Sequence, residues 1–578
     1  MSFEGSGDGI LVKDEPETGD GEEGVAVGHH VDGVVDEEAR KNLREQLKRT
    51  LTRRRESSID TVVPARPSEE PRQYFVLTDA GKPVFASSTL ADDYDNLAST
   101  AGLMQALLSV FIDDGDKLRF INAGKTRISF LLRTPLYYCC VSKWGEPESV
   151  TRSHLEYLHM QILSIVTASQ LKRVFERRAN FDLRRLLGGA ETFLHLMLTR
   201  LQTDLAISTS SLHCLPLDAT LRRKAGEILV PNSKMKEVLY VMLISRGRVL
   251  TIVRPRKRSV HPADLHILLN TIHAPAIFEA ATTTPVSWLP ICLPKFNADG
   301  FLHAYVQFLR PGDTVIEDTQ SEAQTTSSDA VGSGDAVQTD PPTSKPTERH
   351  ADVPDASVPY TSSSTASSSE TSIILSPPPT ATFDTSHLRG RIGTALVCIS
   401  GGGGGEFENI RTWCEGVVQN LEESGTLPAI HTSIRRRPRN PVKAMKYGFG
   451  GDYSVSSLGI SGLRHFIYKN RSLVQVTCPV WGDDYVGLAA RRRVITLYQT
   501  IHDAIHAKSG QGAKEALKLQ YIKTDKDCVM GWITQPFELY ISVSPDLPKS
   551  SIVDIANTVA RWVKREEGRL FLRDAPVF

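Results

Sequence analysis

KLRFINAGKTRISFLLRT, residues 117–134, can be read in two ways that lead to different folds. Gly124, Lys125 and Thr126 are the closing triplet of a phosphate-cradling loop, and a true loop would make this a nucleotide-binding α/β protein. Such a loop needs another glycine five positions before Gly124, where this sequence has Arg119. It must also open a helix, because the N–H groups of a helix N-terminus hold the phosphate. Instead Arg127-Ile128-Ser129-Phe130 alternates polar and apolar residues, the period of a strand. The stretch therefore predicts a β-hairpin turning at Asn122-Ala123-Gly124-Lys125, and with it an antiparallel sheet.

The flanking segments continue that pattern. YFVLTDAGKPVFASS, residues 74–88, predicts two strands joined at Asp79-Ala80-Gly81-Lys82. A helix follows with Leu103, Leu107, Val110 and Phe111 on one face, then the hairpin, a strand over 136–144, and a long helix with Leu155, Leu158, Ile162 and Ile165 inward. Strands joined by short turns, with helices segregated from them, predict an α+β layer fold. VLYVMLISRGRVLTIVRP, residues 238–255, predicts a second hairpin turning at Arg246-Gly247, followed by a helix over 261–273 and strands near 288–294 and 301–309. A third stretch opens with a strand at 391–400 and five glycines at 401–405. A helix with Ile410, Trp413, Val417 and Leu421 inward comes next, then a hairpin over 464–479. Prolines 135, 255 and 479 each follow a hairpin, which suggests one module used three times.

Bulk properties exclude several classes. The 578 residues carry 67 Lys+Arg and 67 Asp+Glu, so net charge gives no argument for nucleic acid, and an anionic partner must meet local patches. No apolar run approaches the roughly 20 residues of a membrane span. The first residues are acidic and lack a secretory apolar region, and the eight cysteines include no C-x-x-C pair. A cytosolic chain with reduced thiols is expected. Residues 1–70 are poor in aromatics and predict a disordered tail. Within it Leu43, Leu47 and Leu51 are surrounded by basic residues, so a basic helix or a solvated charged run is expected there. Ser57 follows two arginines and a glutamate, as in a basophilic kinase site. Residues 311–388 are rich in Ser, Thr and Pro and predict a disordered linker or insertion. The expected domains are thus 71–205, 206–310 and 389–578.

Candidate chemistry is sparse. The glycine run lacks the spacing of a dinucleotide-binding turn and predicts a strand-to-helix connection. His502 and His506 lie four apart on a predicted helix with Asp503 between them. This imitates a two-histidine zinc motif, but the glutamate and the third ligand at metalloprotease spacing are missing. Two histidines of a packing helix are the expectation, with no metal and no cofactor. The basic clusters say more. Arg254, Arg256, Lys257 and Arg258 sit at a strand end, Arg435, Arg436, Arg437 and Arg439 in an expected loop, and Arg491, Arg492 and Arg493 at a helix start. Together they could form a patch for anionic lipid headgroups, worth roughly 1 kcal/mol per basic residue.

Six stretches resemble one family: YFVLTDAGKPVFAS, RTPLYYCCVSKWGEPESV, VRPRKRSVHPADLHILLN, PICLPKFNADGFLHAYV, RHFIYKNRSLVQVTCP and REEGRLFL. They resemble the Mon (monensin-sensitivity) family of vacuolar fusion proteins, in order, over nearly all of 72–310 and 390–578. The resemblance implies three longin domains, each an antiparallel sheet packed by helices. It implies an obligate heterodimer with a Ccz subunit that acts as guanine-nucleotide exchange factor for the late-endosomal and vacuolar Rab GTPase. Endosome maturation, vacuole fusion and autophagy would be its processes, at late-endosomal and vacuolar membranes bearing phosphoinositide. No covalent chemistry is implied. The first longin domain would pair with its counterpart in Ccz and hold the Rab, for which Gln105, Ser109, Asp113, Arg119 and Asn122 are the candidate surface. A longin adaptor or tether without exchange activity, and a hydrolase built on the histidine pair, are the competing expectations.

Overall fold

The computed structural model describes residues 71–87, 94–178, 181–232, 235–275, 277, 286–309, 393–401, 407–435, 452–506, 519–573 and 575–578. The tail with Ser57, the 311–388 segment, and most of the glycine run lie outside the described residues. In the first module, β1 (Gln73–Thr78) and β2 (Pro83–Ala86) form a hairpin, followed by helix α1 (Tyr94–Ile112). Strands β3 (Phe120–Ala123), β4 (Thr126–Arg133) and β5 (Leu136–Ser142) then meander, and helices α2 (Glu148–Ile165), α3 (Ala168–Arg177) and α4 (Glu191–Thr203) follow. The hairpin expected at Gly-Lys-Thr forms: Ala123 pairs with Thr126, and Gly124 makes the turn at φ +64°. No helix starts there, so no phosphate-cradling loop exists at this position.

Sheet order in this module is β2-β1-β5-β4-β3, all antiparallel. Both faces are covered, which explains why β1 is apolar at successive positions rather than alternating. Phe75 and Leu77 face α1, in one cluster with Ala101, Met104 and Leu108. Tyr74 and Val76 face α2 and α4, in a cluster with Leu155, Leu158, Ile162 and Leu198. The helix register of α1 departs from expectation: Leu103 is 59% exposed, while Met104 and Leu108 are buried. This helix is apolar on nearly every side, so spacing alone does not select the stripe that meets the sheet.

Next comes the short strand β6 (Leu212–His213), helix α5 (Ala219–Ile228), and the second sheet. That sheet contains β7 (Val238–Ser245), β8 (Arg248–Val253), β9 (Val286–Leu293), β10 (Ala298–Leu309) and β11 (Thr394–Ser400). Arg246 and Gly247 both adopt positive φ, the two-residue turn that matches strand twist. Helix α6 (Pro262–Ile272) covers one face; α5, α7 (Phe407–Glu423) and α8 (Thr426–Arg435) cover the other. The order is β8-β7-β11-β10-β9, the same as in the first module.

This topology corrects the expected domain boundary. The sequence predicts that residues 391–400 open the third domain, yet β11 is the central strand of the second sheet, between β7 and β10. Ile410, Cys414, Val417 and Leu421 of α7 bury against Val241, Leu243 and Tyr305 of the same module. Leu309 pairs directly with Thr394, so residues 310–393 interrupt a hairpin within one sheet rather than separating two domains. Strand β11 supplies seven residues of ladder on each side.

The third sheet contains β12 (Leu463–Asn470), β13 (Gln475–Thr477), β14 (Leu519–Lys523), β15 (Cys528–Ile533) and β16 (Phe537–Val543). Helix α9 (Leu488–His506) lies on one face and α10 (Lys549–Arg565) on the other. Its order, β14-β15-β16-β12-β13, is again the shared order, to which β6 adds a parallel sixth strand beside β13. A single module repeated three times is therefore present, but the proline signal is not equivalent between copies. Pro135 precedes a fifth strand, whereas Pro255 and Pro479 follow second strands.

The modules are fastened together by buried groups. Helix α6 gives Leu265, Leu268 and Ile272 to the second core and Ala263 and Ile267 to the first, which accounts for its apolar residues on all sides. Asn270 donates to Gln161 Oε1 at 2.9 Å and to Phe193 O at 2.8 Å. Between the first and third modules, Trp144 is stacked by Arg72 at 3.9 Å on one contact and Arg492 at 4.6 Å on another. Between the second and third, Arg222 donates to five carbonyls, three of them in residues 568–571.

Candidate functional site

The first module presents an incomplete edge. Strand β3 ends its sheet and pairs only with β4, leaving one row of backbone groups open among the described residues. Leu108, Phe111, Leu118 and Ile121 share one cluster, so the C-terminal half of α1 packs over this edge. The outer surface carries Leu103 at 59%, Ile112 at 38% and Phe120 at 42% exposure. An open strand edge and exposed large apolar side chains are each features of a protein-binding surface.

The five residues expected on this surface divide. Asp113, Arg119 and Asn122 are exposed. Asn122 accepts from Arg127 Nε at 3.0 Å, and Arg127 lies over the Phe120 ring at 5.8 Å. Ser109 is half-buried and donates to Ala106 O, one turn back on its own helix. Gln105 is an internal pin: its amide donates to Asp79 O at 2.9 Å and its stem fills the space at Gly81, whose φ of +79° makes the β1–β2 turn. Sequence reasoning sought polar contacts and missed Leu103, Ile112 and Phe120. The signal that could have found the two helical residues, Leu103 and Ile112, is a helix with more apolar residues than one buried face can use.

The basic clusters also divide. Arg256, Lys257 and Arg258 are exposed, and Arg258 lies 5.8 Å from the Phe296 ring. Arg254 is 4% exposed and donates through Nη1 to the carbonyls of Pro255, Arg256 and Arg258. It shapes the loop rather than facing a membrane, a correction to its expected role. Residues 577–578 pair with the same loop: Phe578 N donates to Arg254 O at 3.1 Å and Arg256 N to Phe578 O at 2.9 Å. Arg435 ends α8, and its side chain lies outside the described residues together with Arg436, Arg437 and Arg439. The third cluster is half-buried and bonded within the fold: Arg491 donates to Tyr485 O at 2.7 Å, Arg492 stacks on Trp144, and Arg493 is paired with Asp527.

The histidine pair gains a neighbour that no sequence spacing predicts. His502 and His506 lie on α9, and Glu538 of β16 brings its Oε2 to 3.2 Å from His506 Nε2. The helix can approach because Gly531 of β15 has no side chain; a Cβ there would lie 2.3 Å from Ile501 and 2.8 Å from Ile505. Burial, with His506 adding to it, pushes His502 down to about 3, so its ring is neutral. Burial pushes the Glu538 carboxyl upward, but His506, Lys469 and His502 outweigh it and hold it at about 2. Among the described residues, no helix is long and apolar enough to cross a membrane.

Residues 72–197 match the family described as First Longin domain of FUZ, MON1 and HPS1, residues 236–333 the second longin domain of the same proteins, and residues 462–567 the third. The chain is similar to the vacuolar fusion protein MON1 of Cryptococcus neoformans var. neoformans serotype D, with 42% identity over 512 residues, 88% of this chain and 66% of that protein. It is 30% identical to vacuolar fusion protein MON1 of Mycosarcoma maydis over 636 residues, covering 88% of this chain and 68% of that protein. With vacuolar fusion protein MON1 homolog A of Homo sapiens it shares 27% identity over 501 residues, 87% of this chain and 60% of that protein. The matched part of the chain thus spans 60 to 68% of the length of these relatives. Three longin domains sharing one strand order, matched in sequence to those of MON1, make this chain a member of the MON1 family of vacuolar fusion proteins.

Proposed function

We propose that this chain is one subunit of a heterodimeric guanine-nucleotide exchange factor that acts with a Ccz partner on the late-endosomal and vacuolar Rab, at endosomal and vacuolar membranes. Family membership supports the class, and the relatives' printed names support the vacuole as the place of action. The observation that carries the reading is the surface of the first module, where the open β3 edge carries exposed Phe120 and helix α1 exposes Leu103 and Ile112. An open edge is suited to a second longin sheet, and the neighbouring helix face to a switch region.

Exchange on this reading needs no catalytic triad. A Rab holds nucleotide through its phosphate loop, Mg²⁺ and ordered switch segments. A partner that binds the nucleotide-free form best weakens nucleotide affinity by the factor by which nucleotide weakens its own binding. Arg256, Lys257 and Arg258 would hold the complex to phosphoinositide membranes, with Arg254 setting their loop.

The test is release of a fluorescent GDP analogue from the vacuolar Rab by this chain with Ccz. The expected result is release well above the spontaneous rate, reduced when Leu103 and Phe120 are changed to serine. Release at the spontaneous rate, with preference for the GTP-bound Rab in a pull-down, would overturn exchange in favour of an adaptor or tether.

A further inference from the structure

We propose that His502, His506 and Glu538 form a binding site for an imidazole-preferring divalent cation, zinc foremost, which clips the C-terminal turn of α9 to β16. The two histidines lie one helical turn apart with ring centroids separated by 4.3 Å, so both project from one side of α9. One nitrogen of each ring and one Glu538 carboxylate oxygen fall within 4.8 Å of one another. Zinc bonds of about 2.0–2.1 Å in a tetrahedron separate neighbouring ligand atoms by about 3.3 Å. The 3.2 Å from His506 Nε2 to Glu538 Oε2 already has that value.

The carboxylate is also oriented as a ligand. Tyr540 OH donates to Oε2 at 3.2 Å, an outer contact that fixes the oxygen facing the histidines. Oε1 faces away, toward Arg471 Nε at 3.4 Å and Lys469 Nζ at 3.8 Å. Those two cations oppose any divalent ion alike, so the donor set of two imidazoles and one carboxylate decides its class. A hard ion such as Mg²⁺ or Ca²⁺ needs several oxygens and would find one. Zinc gains from two imidazoles as well, and both opposing cations have other acceptors to retain. Lys469 donates to Thr209 O at 2.9 Å, and Arg471 donates through Nη1 to Thr534 O at 2.9 Å. Entry is open, since the His506 side chain is 36% exposed while Glu538 is buried.

The experiment uses the full chain stripped with a chelator and titrated with ZnCl₂ by calorimetry, repeated with Co²⁺ by visible spectroscopy. One Zn²⁺ per chain should bind with micromolar or tighter affinity and raise the melting temperature. Co²⁺ should give the spectrum of nitrogen and oxygen ligation without a thiolate band. His506→Ala, at a surface position, should weaken binding by at least about 10-fold and abolish the thermal shift. Glu538→Gln should do the same; if it fails to fold, His506→Ala alone decides. No saturable binding to the parent chain would overturn the site. Binding that survives both His506→Ala and His502→Asn, or a cobalt spectrum with thiolate character, would place the ion elsewhere and overturn it equally.

Discussion

Replacing Arg222 with lysine should release the segment 567–573 from the second module. Arg222 is 6% exposed and donates Nε to Leu250 O at 3.1 Å, Nη1 to Gly568 O at 3.0 Å and Phe571 O at 2.9 Å, and Nη2 to Leu215 O at 2.8 Å and Arg569 O at 2.9 Å. Burial lowers the guanidinium's pKa, and five carbonyl dipoles rather than a carboxylate fill its fork. Lysine keeps the charge but has only three donors on a single atom. At least two carbonyls then lose a partner at about 1–3 kcal/mol each, for a total of about 2–6 kcal/mol. A neighbouring cavity of about 120 Å³, lined by Thr220, Thr251, Phe571 and Leu572 among others, can admit water and draw the cost toward the lower figure. A chain of this size does not unfold in one step, so the assay is hydrogen exchange followed by mass spectrometry on peptides from 567–578. A loss of about 2 kcal/mol accelerates exchange by about 30-fold. Exchange there within about threefold of the parent would refute the view that these five bonds hold the segment.

Two further outcomes follow from buried and exposed charge. Burial pushes the Asp264 carboxyl up to about 6, against the pull of the Lys295 N–H at 2.9 Å. The folded value lies above the ordinary one near 3.9, so the contribution of Asp264 to stability is fullest below that value and falls by about 3 kcal/mol as pH rises through about 6. Asp264→Asn removes this slope, so its melting temperature relative to the parent should rise between about pH 5 and about pH 7.5; an equal difference at both would contradict the assignment. Reversing Arg256, Lys257 and Arg258 to glutamate should lower affinity for phosphoinositide vesicles by at least 100-fold at low salt, taking roughly 1 kcal/mol for each positive charge removed. Unchanged sedimentation with vesicles would remove the loop from the membrane reading. Arg254 is left intact in that variant, because its loss would collapse the loop under test.

Local pattern made much of the fold legible. The alternation around Ser129, the Arg246-Gly247 turn and the stripe Leu155, Leu158, Ile162 each specify an element without help from distant residues. What escaped was decided by contacts far apart in sequence. Strand β11 reads as a strand, but nothing within it says that its neighbours are β7 and β10 rather than β12. Arg254 looks like its exposed neighbours because its acceptors are backbone carbonyls, which carry no residue code. The exposure of Leu103 depends on which side of a helix apolar on nearly every face the sheet takes. Glu538 joins the histidines only because a glycine on the adjacent strand admits the helix.

The pairing of Leu309 with Thr394 changes how the chain can be divided. The Ser/Thr/Pro-rich segment would be the obvious place to cut when preparing separate halves. A cut there leaves the N-terminal half with β7 and β10 bare at the middle of their sheet, inviting aggregation. The C-terminal half keeps β11 with Ile410, Cys414, Val417 and Leu421 uncovered, and loses the β6 strand that borders β13. Such halves are complementing fragments rather than domains. Produced together they should reassociate across the β7–β11–β10 ladder, so a proteolytic nick in that segment leaves the fold intact.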